Sequence, residues 1–321
     1  VVIEVKLSFV IPAYNEEESI IQLYEEIIGN RGEHQYEIIF IEDGSTDGTF
    51  EVMRELAGRD ANVKVVKFRK NLGKAAALQS GFNIASGDVI FTMDADLQDD
   101  PKEIPHFLEK LAEGNDLVTG WKKKRHDPLS KRLPSKFFNF ITSQSFGLKL
   151  HDYNCGFKAY RAEVIKELDI YGEMHRYIPA LAYSRGFKVA EIVVEHRSRQ
   201  FGNSKYGWER YFRGFLDLLT VKLLTNYSRS PLYLFGNIGA SISFLGFLIA
   251  LYLSVLKIFF DQPLSNRPLL FLAMLLIMVG LQFFSLGLLS ELIVNQNRRL
   301  NREKNLSIQT TINLGEERDG K

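Results

Sequence analysis

Two stretches of this chain carry no charged side chain at all, Leu232 to Leu256 and Leu269 to Ser290. Each reaches the roughly 20 residues that an α-helix needs to cross the hydrocarbon core of a bilayer. The pair is read as two transmembrane helices joined by the short loop Lys257 to Pro268, with a buried helical hairpin as the alternative. Two crossings return the chain to its starting side, so everything before the first span shares a compartment with the tail. Lys222 and Arg229 precede the first span and Arg298, Arg299, Arg302 and Lys304 follow the second, against Lys257 and Arg267 in the loop. Basic residues favour the cytoplasmic side, which is where both termini are expected.

The other 230 or so residues have to form something that folds in water. With 45% apolar residues over 321 positions there is enough material for a large core beside the spans. A formal net charge of +1 gives no basic excess that would point to nucleic acid. Cys155 is the single cysteine, which excludes an internal disulfide framework and reads as a packed residue in a reducing compartment. The six histidines are scattered, with no zinc-site spacing. The N-terminal VVIEVKLSFVIP is too short and too acidic for a secretory signal and reads as a strand. Ahead of the first span, YGWERYFRGFLDLLTVKLLTNYSRSP mixes aromatic and basic residues in a way that suits helices lying at a membrane surface.

Strand and helix alternate along the first hundred residues. LSFVIP is an apolar run, and Asn15 with Glu18 has capping-box spacing ahead of a helix through Ile20, Leu23, Tyr24 and Ile27. EIIFIED, VKVVKF and DVIFTMDAD are further apolar runs, each followed by a helical pattern, with Asp100 and Pro101 opening the last. Continuous apolar strands of this kind make a mostly parallel sheet covered by helices on both faces, an α/β fold. Tyr14, Asn15, Glu16, Asp43, Asn71, Asp94 and Asp96 then fall where strands end, the edge at which such sheets bind ligands. A GxGxxG fingerprint is absent, so an ordinary dinucleotide site is not expected.

The acidic run FTMDADLQDDP crowds Asp94, Asp96, Asp99 and Asp100 into seven positions. Like charges at that density repel unless a cation sits among them or water screens them. Asp94, Asp96 and Gln98 share one parity if the backbone is extended, and oxygen ligands of that kind suit Mg²⁺ or Mn²⁺ shared with a diphosphate. The alternative is that the carboxylates cap the next helix, which accounts well for Asp99 or Asp100.

FVIPAYNEEESI, EDGSTDGT, NLGKAAAL, MDADLQDDP, CGFKAYR and HRSRQFGNSKY, in that order, resemble the family 2 glycosyltransferases of the Rossmann-like GT-A fold. Within them they are similar to polyprenyl-phosphate glycosyltransferases, namely dolichol-phosphate mannose synthases and the two-span undecaprenyl-phosphate glucosyltransferases. The resemblance covers roughly residues 5 to 295. It implies that Pro12, Tyr14, Glu16, Asp43 and Asp94 hold the nucleotide sugar, with Asp43 near the uracil or ribose. Asp94 and Asp96 match the DxD pair, and Asp96 with Gln98 the metal ligands. Arg125, Arg132 and Ser135 match residues that receive the acceptor phosphate; they lie in WKKKRHDPLSKRLPSK, which holds seven Lys or Arg against one acidic residue. Asp152 falls where such enzymes keep an acidic residue close to the sugar, as a base or an orienting group, and with Asp94 and Asp96 completes the catalytic set. Arg199, Ser204 and Lys205 match a segment that closes on the diphosphate. Neither Trp121 nor Trp208 is preceded by the Gln-x-x-Arg pattern of processive relatives, which favours a single transfer.

The resulting expectation is a metal-dependent, inverting transfer of glucose from UDP-glucose to undecaprenyl phosphate. The same reaction with GDP-mannose or a UDP-aminoarabinose derivative is the rival within the class, and a non-catalytic nucleotide-sugar sensor the rival outside it. The expected organisation is a GT-A domain over residues 1–203, interface helices over 204–230, two spans over 231–294 and a cytoplasmic tail over 295–321. The expected location is a bacterial inner membrane. Small residues Gly236, Gly239, Ala240, Ser241 and Ser243 let spans pack closely, so a homo-oligomer is expected.

Overall fold

The computed structural model describes residues 5–123, 139, 142–144, 146–197, 230–260, 263 and 268–300, without the side chains of 295 and 297–300. These fall into two compact units divided between Val221 and Lys222. Arg125, Arg132, Ser135, Arg199, Ser204 and Lys205, and nearly all of the 204–230 segment, lie outside the described residues.

In the first unit the expected alternation is present: β1 Leu7–Ala13, α1 Ile20–Asn30, β2 Tyr36–Glu42, α2 Thr49–Arg59, β3 Val63–Lys67, α3 Lys74–Ile84, β4 Val89–Thr92, a 3₁₀ turn Pro101–Glu103 and α4 Ile104–Ala112. Three more strands follow, β5 Leu117–Trp121, β6 Lys158–Arg161 and β7 Val189–Val193, with α5 Ala162–Glu167, a 3₁₀ turn Met174–Tyr177 and α6 Ile178–Ser184 between the last two. Among the described residues they make one sheet in the order β3-β2-β1-β4-β6-β5-β7. Only β6 runs against its neighbours, β4 and β5; the other pairings are parallel.

Why the strands lack polar alternation is visible in the core. Phe9, Ile11, Ile38, Phe40 and Phe91 point to one face, where α1, α2 and α4 supply Leu23, Met53 and Phe107. Val10, Ile39, Ile41 and Ile90 point to the other, against Leu78 and Phe82 of α3 and Val164 of α5. A sheet covered on both sides needs apolar residues at every position. The reversal of β6 has a consequence for function. It enters the sheet at the edge where β4 and β5 leave it, with Lys158 opposite both Thr92 and Thr119.

One expectation is corrected here. Asn15 does not cap α1, which starts at Ile20 after a turn, with Ser19 at its N-cap. Asn15 sits in the left-handed region at φ 54°, and its side-chain oxygen accepts from the Thr46 amide at 2.8 Å instead. Capping-box spacing was satisfied in sequence, but the competing partner came from a neighbouring loop.

The second unit is a helical hairpin, α7 Pro231–Phe260 and α8 Pro268–Leu300. Both helices are long and apolar enough to cross a membrane, over 30 residues for the first and the 27 of Pro268–Val294 for the second. At 1.5 Å per residue these span about 45 and 40 Å, more than the ~30 Å of hydrocarbon. Gly239 and Gly246 pack within the hairpin itself, while Ala240 and Ser241 are exposed. A Cβ on Gly239 would stand 2.5 Å from the Gly280 carbonyl oxygen, and one on Gly246 2.8 Å from that of Ala273.

Candidate active site

The loops after β1, β2 and β3 are laced together by their own polar groups. Asn15 donates its amide to Ser45 Oγ at 3.0 Å, and Glu16 donates its amide to Thr49 Oγ1 at 2.9 Å. The buried Asp43 carboxylate accepts from the Leu72 amide at 2.7 Å and the Gly73 amide at 3.0 Å, fixing the loop that leads into α3. Burial raises the Asp43 carboxyl above its ordinary value, with those two amides opposing. Gly44, at φ 73°, is required there because a Cβ would stand 2.5 Å from the Asn71 amide nitrogen. Pro12, Tyr14 and Glu16 line this same edge, each partly exposed.

After Thr92 the chain leaves β4 and turns. The expected alternation survives in exposure: Asp94, Asp96 and Gln98 are partly exposed while Met93, Ala95 and Leu97 are buried. The backbone is a turn and not an extended strand, however, and Leu97 takes φ 60° with its side chain fully buried. A leucine held in that region marks a conformation that the surroundings impose, and such conformations gather at functional sites.

Asp94, Asp99 and Asp100 each already have a cation. Lys74, the first residue of α3, pairs with Asp94. Lys122, just past β5, pairs with the buried Asp99 at 2.8 Å. Arg197 grips Asp100 at 2.6 Å and, with another nitrogen, Glu26 of α1 at 2.6 Å. Asp100 also accepts from the Lys102 amide at 3.0 Å, the helix-capping role foreseen for it. Asp96 accepts from the Gln98 amide at 3.2 Å. The crowding is thus relieved largely by the protein's own lysines and arginine. Burial alone would raise the Asp94 carboxyl, but Lys74, Lys122 and Lys158 outweigh it and hold it at about 2. Burial would likewise lower Lys122, and Asp99 beside it instead raises it above the ordinary lysine value.

The segment entering β6 completes the site. Asp152 is buried and accepts from the Asn154 amide at 3.1 Å. Gly156 lies against Asp94, with room for no side chain, since a Cβ would stand 2.6 Å from the carboxylate. Lys158 is buried at the start of β6 and donates to the Cys155 carbonyl. Cys155 itself is packed and its thiol is pushed up to about 12 by burial, which suits the inert role read from sequence. At the end of β5, Trp121 stacks on His151 with ring centres 3.9 Å apart, and Glu191 of β7 fixes that imidazole at 2.8 Å. Lys74, Lys122, Lys158, Arg197 and the Trp121–His151 stack were missed in the sequence. The available signal was positional, since Lys158 is a cation directly after the apolar Cys155, Gly156 and Phe157.

The donor set at the turn fits a hard divalent ion. Asp96 and Gln98 offer oxygen on the exposed side of the turn, and among the described residues no group of three His, Cys, Asp or Glu forms a cage. Mg²⁺ and Mn²⁺ are commonly bound this way, by one or two protein oxygens with phosphate and water filling the remainder.

The sequence profile described as "Glycosyl transferase family 2" matches residues 8–169. The dodecaprenyl-phosphate galacturonate synthase of Rhizobium johnstonii is 39% identical over 295 residues, 90% of this chain and 87% of that protein. The undecaprenyl-phosphate 4-deoxy-4-formamido-L-arabinose transferase of Proteus mirabilis is 36% identical over 292 residues, 90% of this chain and 88% of that protein. Among solved structures, glucosyl-3-phosphoglycerate synthase from Mycobacterium tuberculosis in complex with Mn²⁺, UDP and phosphoglyceric acid has a TM-score of 0.54 at 19% identity, over 68% of this chain and 78% of that one. At that identity the likeness shows the fold, the GT-A core.

Proposed function

Because the chain belongs to the family 2 glycosyltransferases, among the polyprenyl-phosphate enzymes of the GT-A type, we propose that it transfers one sugar residue from a UDP-sugar to the phosphate of a polyprenyl phosphate at a membrane surface. The observation that carries this reading is the match over nine tenths of the chain, apolar hairpin included, to relatives named for polyprenyl-phosphate sugars. The glucose expected from sequence gives way to the alternative of another donor. The two relatives are named for galacturonate and for 4-deoxy-4-formamido-L-arabinose, so a modified sugar is the better reading.

The acceptor is a phosphate monoester, mostly dianionic near neutral pH because its second pKa is about 6. Its oxygen forms the new bond to the anomeric carbon while the bond to the donor's β-phosphate oxygen breaks, and UDP departs with the electron pair. Attack opposite the leaving group inverts the configuration. An ionised phosphate needs no proton removed, so the buried Asp152 serves to orient sugar or acceptor. A divalent ion, Mg²⁺ or Mn²⁺, held by Asp96 and Gln98 would supply Lewis-acid neutralisation of the departing diphosphate, an effect commonly worth several kcal/mol. Asp94, kept ionised by Lys74, and the Asp43-anchored loop hold the donor, with Pro12, Tyr14 and Glu16 along the nucleotide. Arg125, Arg132 and Ser135 are assigned to the acceptor phosphate, where a guanidinium can bind two oxygens at once. Arg199, Ser204 and Lys205 are assigned to the diphosphate.

The two apolar helices support residence in the membrane, and the basic residues flanking them favour both termini on the cytoplasmic side. It raises the local concentration of a lipid acceptor. The test is a panel of UDP-sugars offered to the purified protein with undecaprenyl phosphate and Mn²⁺, read by mass spectrometry of the lipid. One sugar per lipid phosphate is expected; a free oligosaccharide, or no lipid product with any donor, would overturn the reading.

A further inference from the structure

Behind Asp94 lies a small cavity whose lining includes Lys74, Thr92, Asn154, Gly156, Lys158 and His175. Its chemistry is unbalanced. Lys158 is only 3% exposed, and its ammonium donates to the Cys155 carbonyl with no carboxylate in ion-pair range among the described residues. His175 Nδ1 and Asn154 Oδ1 are both buried without a hydrogen-bond partner among those residues. Buried ammonium groups are ordinarily paired, and buried polar atoms ordinarily satisfied. Burial lowers the Lys158 ammonium and, with Lys74 and Arg176, brings His175 well below its ordinary value. An anion arriving there would reverse both effects.

We infer that this cavity reads a carboxylate carried by the transferred sugar, so that the donor is a UDP-linked uronic acid, with Lys158 and His175 as the residues that distinguish it from a neutral sugar. The inference rests on the transferase reading above and goes further by naming the sugar's chemistry. The cavity is too small for a sugar ring, so only an exocyclic group can enter. Lys74, which lines it, is a quarter exposed and bound to Asp94, the residue assigned above to the donor. A hydroxymethyl group placed there would leave the Lys158 ammonium with only the longer-range charges of Asp94 and Asp152, whereas a carboxylate pairs it directly and gives the imidazole an acceptor. The cost of leaving a buried charge unpaired is what would make the discrimination sharp. That a relative 39% identical to this chain is named for galacturonate is consistent with it.

The test compares wild type, Lys158→Met and His175→Gln in the full-length protein, with Mn²⁺ and undecaprenyl phosphate. Donors are UDP-galacturonate, UDP-glucuronate, UDP-galactose, UDP-glucose and UDP-4-deoxy-4-formamido-L-arabinose. Wild type is expected to prefer a uronate by about tenfold or more in kcat/KM. Both variants should lose that preference while binding UDP with Mn²⁺ as tightly as wild type, and Lys158→Met should unfold no earlier than wild type because it removes a buried unpaired ammonium. A wild-type preference for a neutral donor, or a uronate preference that survives both substitutions, would overturn the inference and leave the transferase reading standing. An equal loss of UDP affinity in Lys158→Met would place the diphosphate on Lys158 and overturn it as well. Failure to make a lipid product from any donor would fell the transferase reading; competition between UDP-galacturonate and UDP-galactose for binding would still decide the carboxylate.

Discussion

Asp94, Asp99 and Asp100 each meet a different cation, and the three pairs differ in what they can be worth. Asp99 has no exposed side-chain surface and Lys122 only 12%, so this is the pair whose rupture is most costly. Lys122→Met should lower stability by ~3–5 kcal/mol, since it strands a buried carboxylate. Chemical denaturation of the detergent-solubilised protein would read this, and a loss under 1 kcal/mol would show that Asp99 finds water or another partner. Glu37 makes the complementary case away from the site. Its buried carboxylate accepts from Ser8 Oγ, the Ser86 amide and Lys64 Nζ, each at 2.6 Å. Burial opposes its ionisation, but these donors prevail and bring it from 4.5 to about 2. A depressed carboxyl stabilises the fold above its unfolded value, and that contribution is lost as pH falls from about 4.5 towards 2. Glu37→Gln should therefore cost stability at pH 7 and flatten the acid limb between those values; an unchanged acid limb would contradict the assignment.

At the level of elements, the strands β1 to β4 and helices α1 to α4 were legible because continuous apolar runs and helical spacing leave few other readings. Asp100 at the start of the Pro101–Glu103 turn was legible for the same reason, being a local cap. What escaped the sequence was what depends on distant chain. The start of α1 moved from Asn15 to Ile20 because Asn15 found Thr46, 31 positions away. The antiparallel insertion of β6 could not be read from KAYR, a short strand whose direction is set by the elements around it. That insertion delivers Gly156 against Asp94 and Lys158 within reach of its charge, so the half of the site it builds was invisible except through family resemblance. Gly156→Ala tests it. The added methyl meets the Asp94 carboxylate, and transfer is expected to fall by about 100-fold or more with little change in membrane insertion. Wild-type turnover would show that the Asp94–Gly156 contact is not maintained in the working enzyme.

Across the whole molecule, the two apolar runs foretold the α7–α8 hairpin, since length without charge has few other uses. Composition could not say that Gly239 and Gly280 would be consumed in packing those two helices on each other. Gly239→Leu should split the hairpin and lower the temperature at which the detergent-solubilised protein aggregates; no change would place that glycine on the lipid side. On the function proposed above, the partly exposed Asp96 and Gln98, on the turn beyond β4, make sugar transfer to a polyprenyl phosphate depend on a divalent ion. The direct measurement is formation of glycosylated undecaprenyl phosphate by wild type and Asp96→Ala, each with Mn²⁺ and with excess EDTA, on samples matched for thermal stability. Product is expected only from wild type with the metal, at least about a thousandfold above the other three reactions. Comparable product from Asp96→Ala, or from wild type in EDTA, would contradict it.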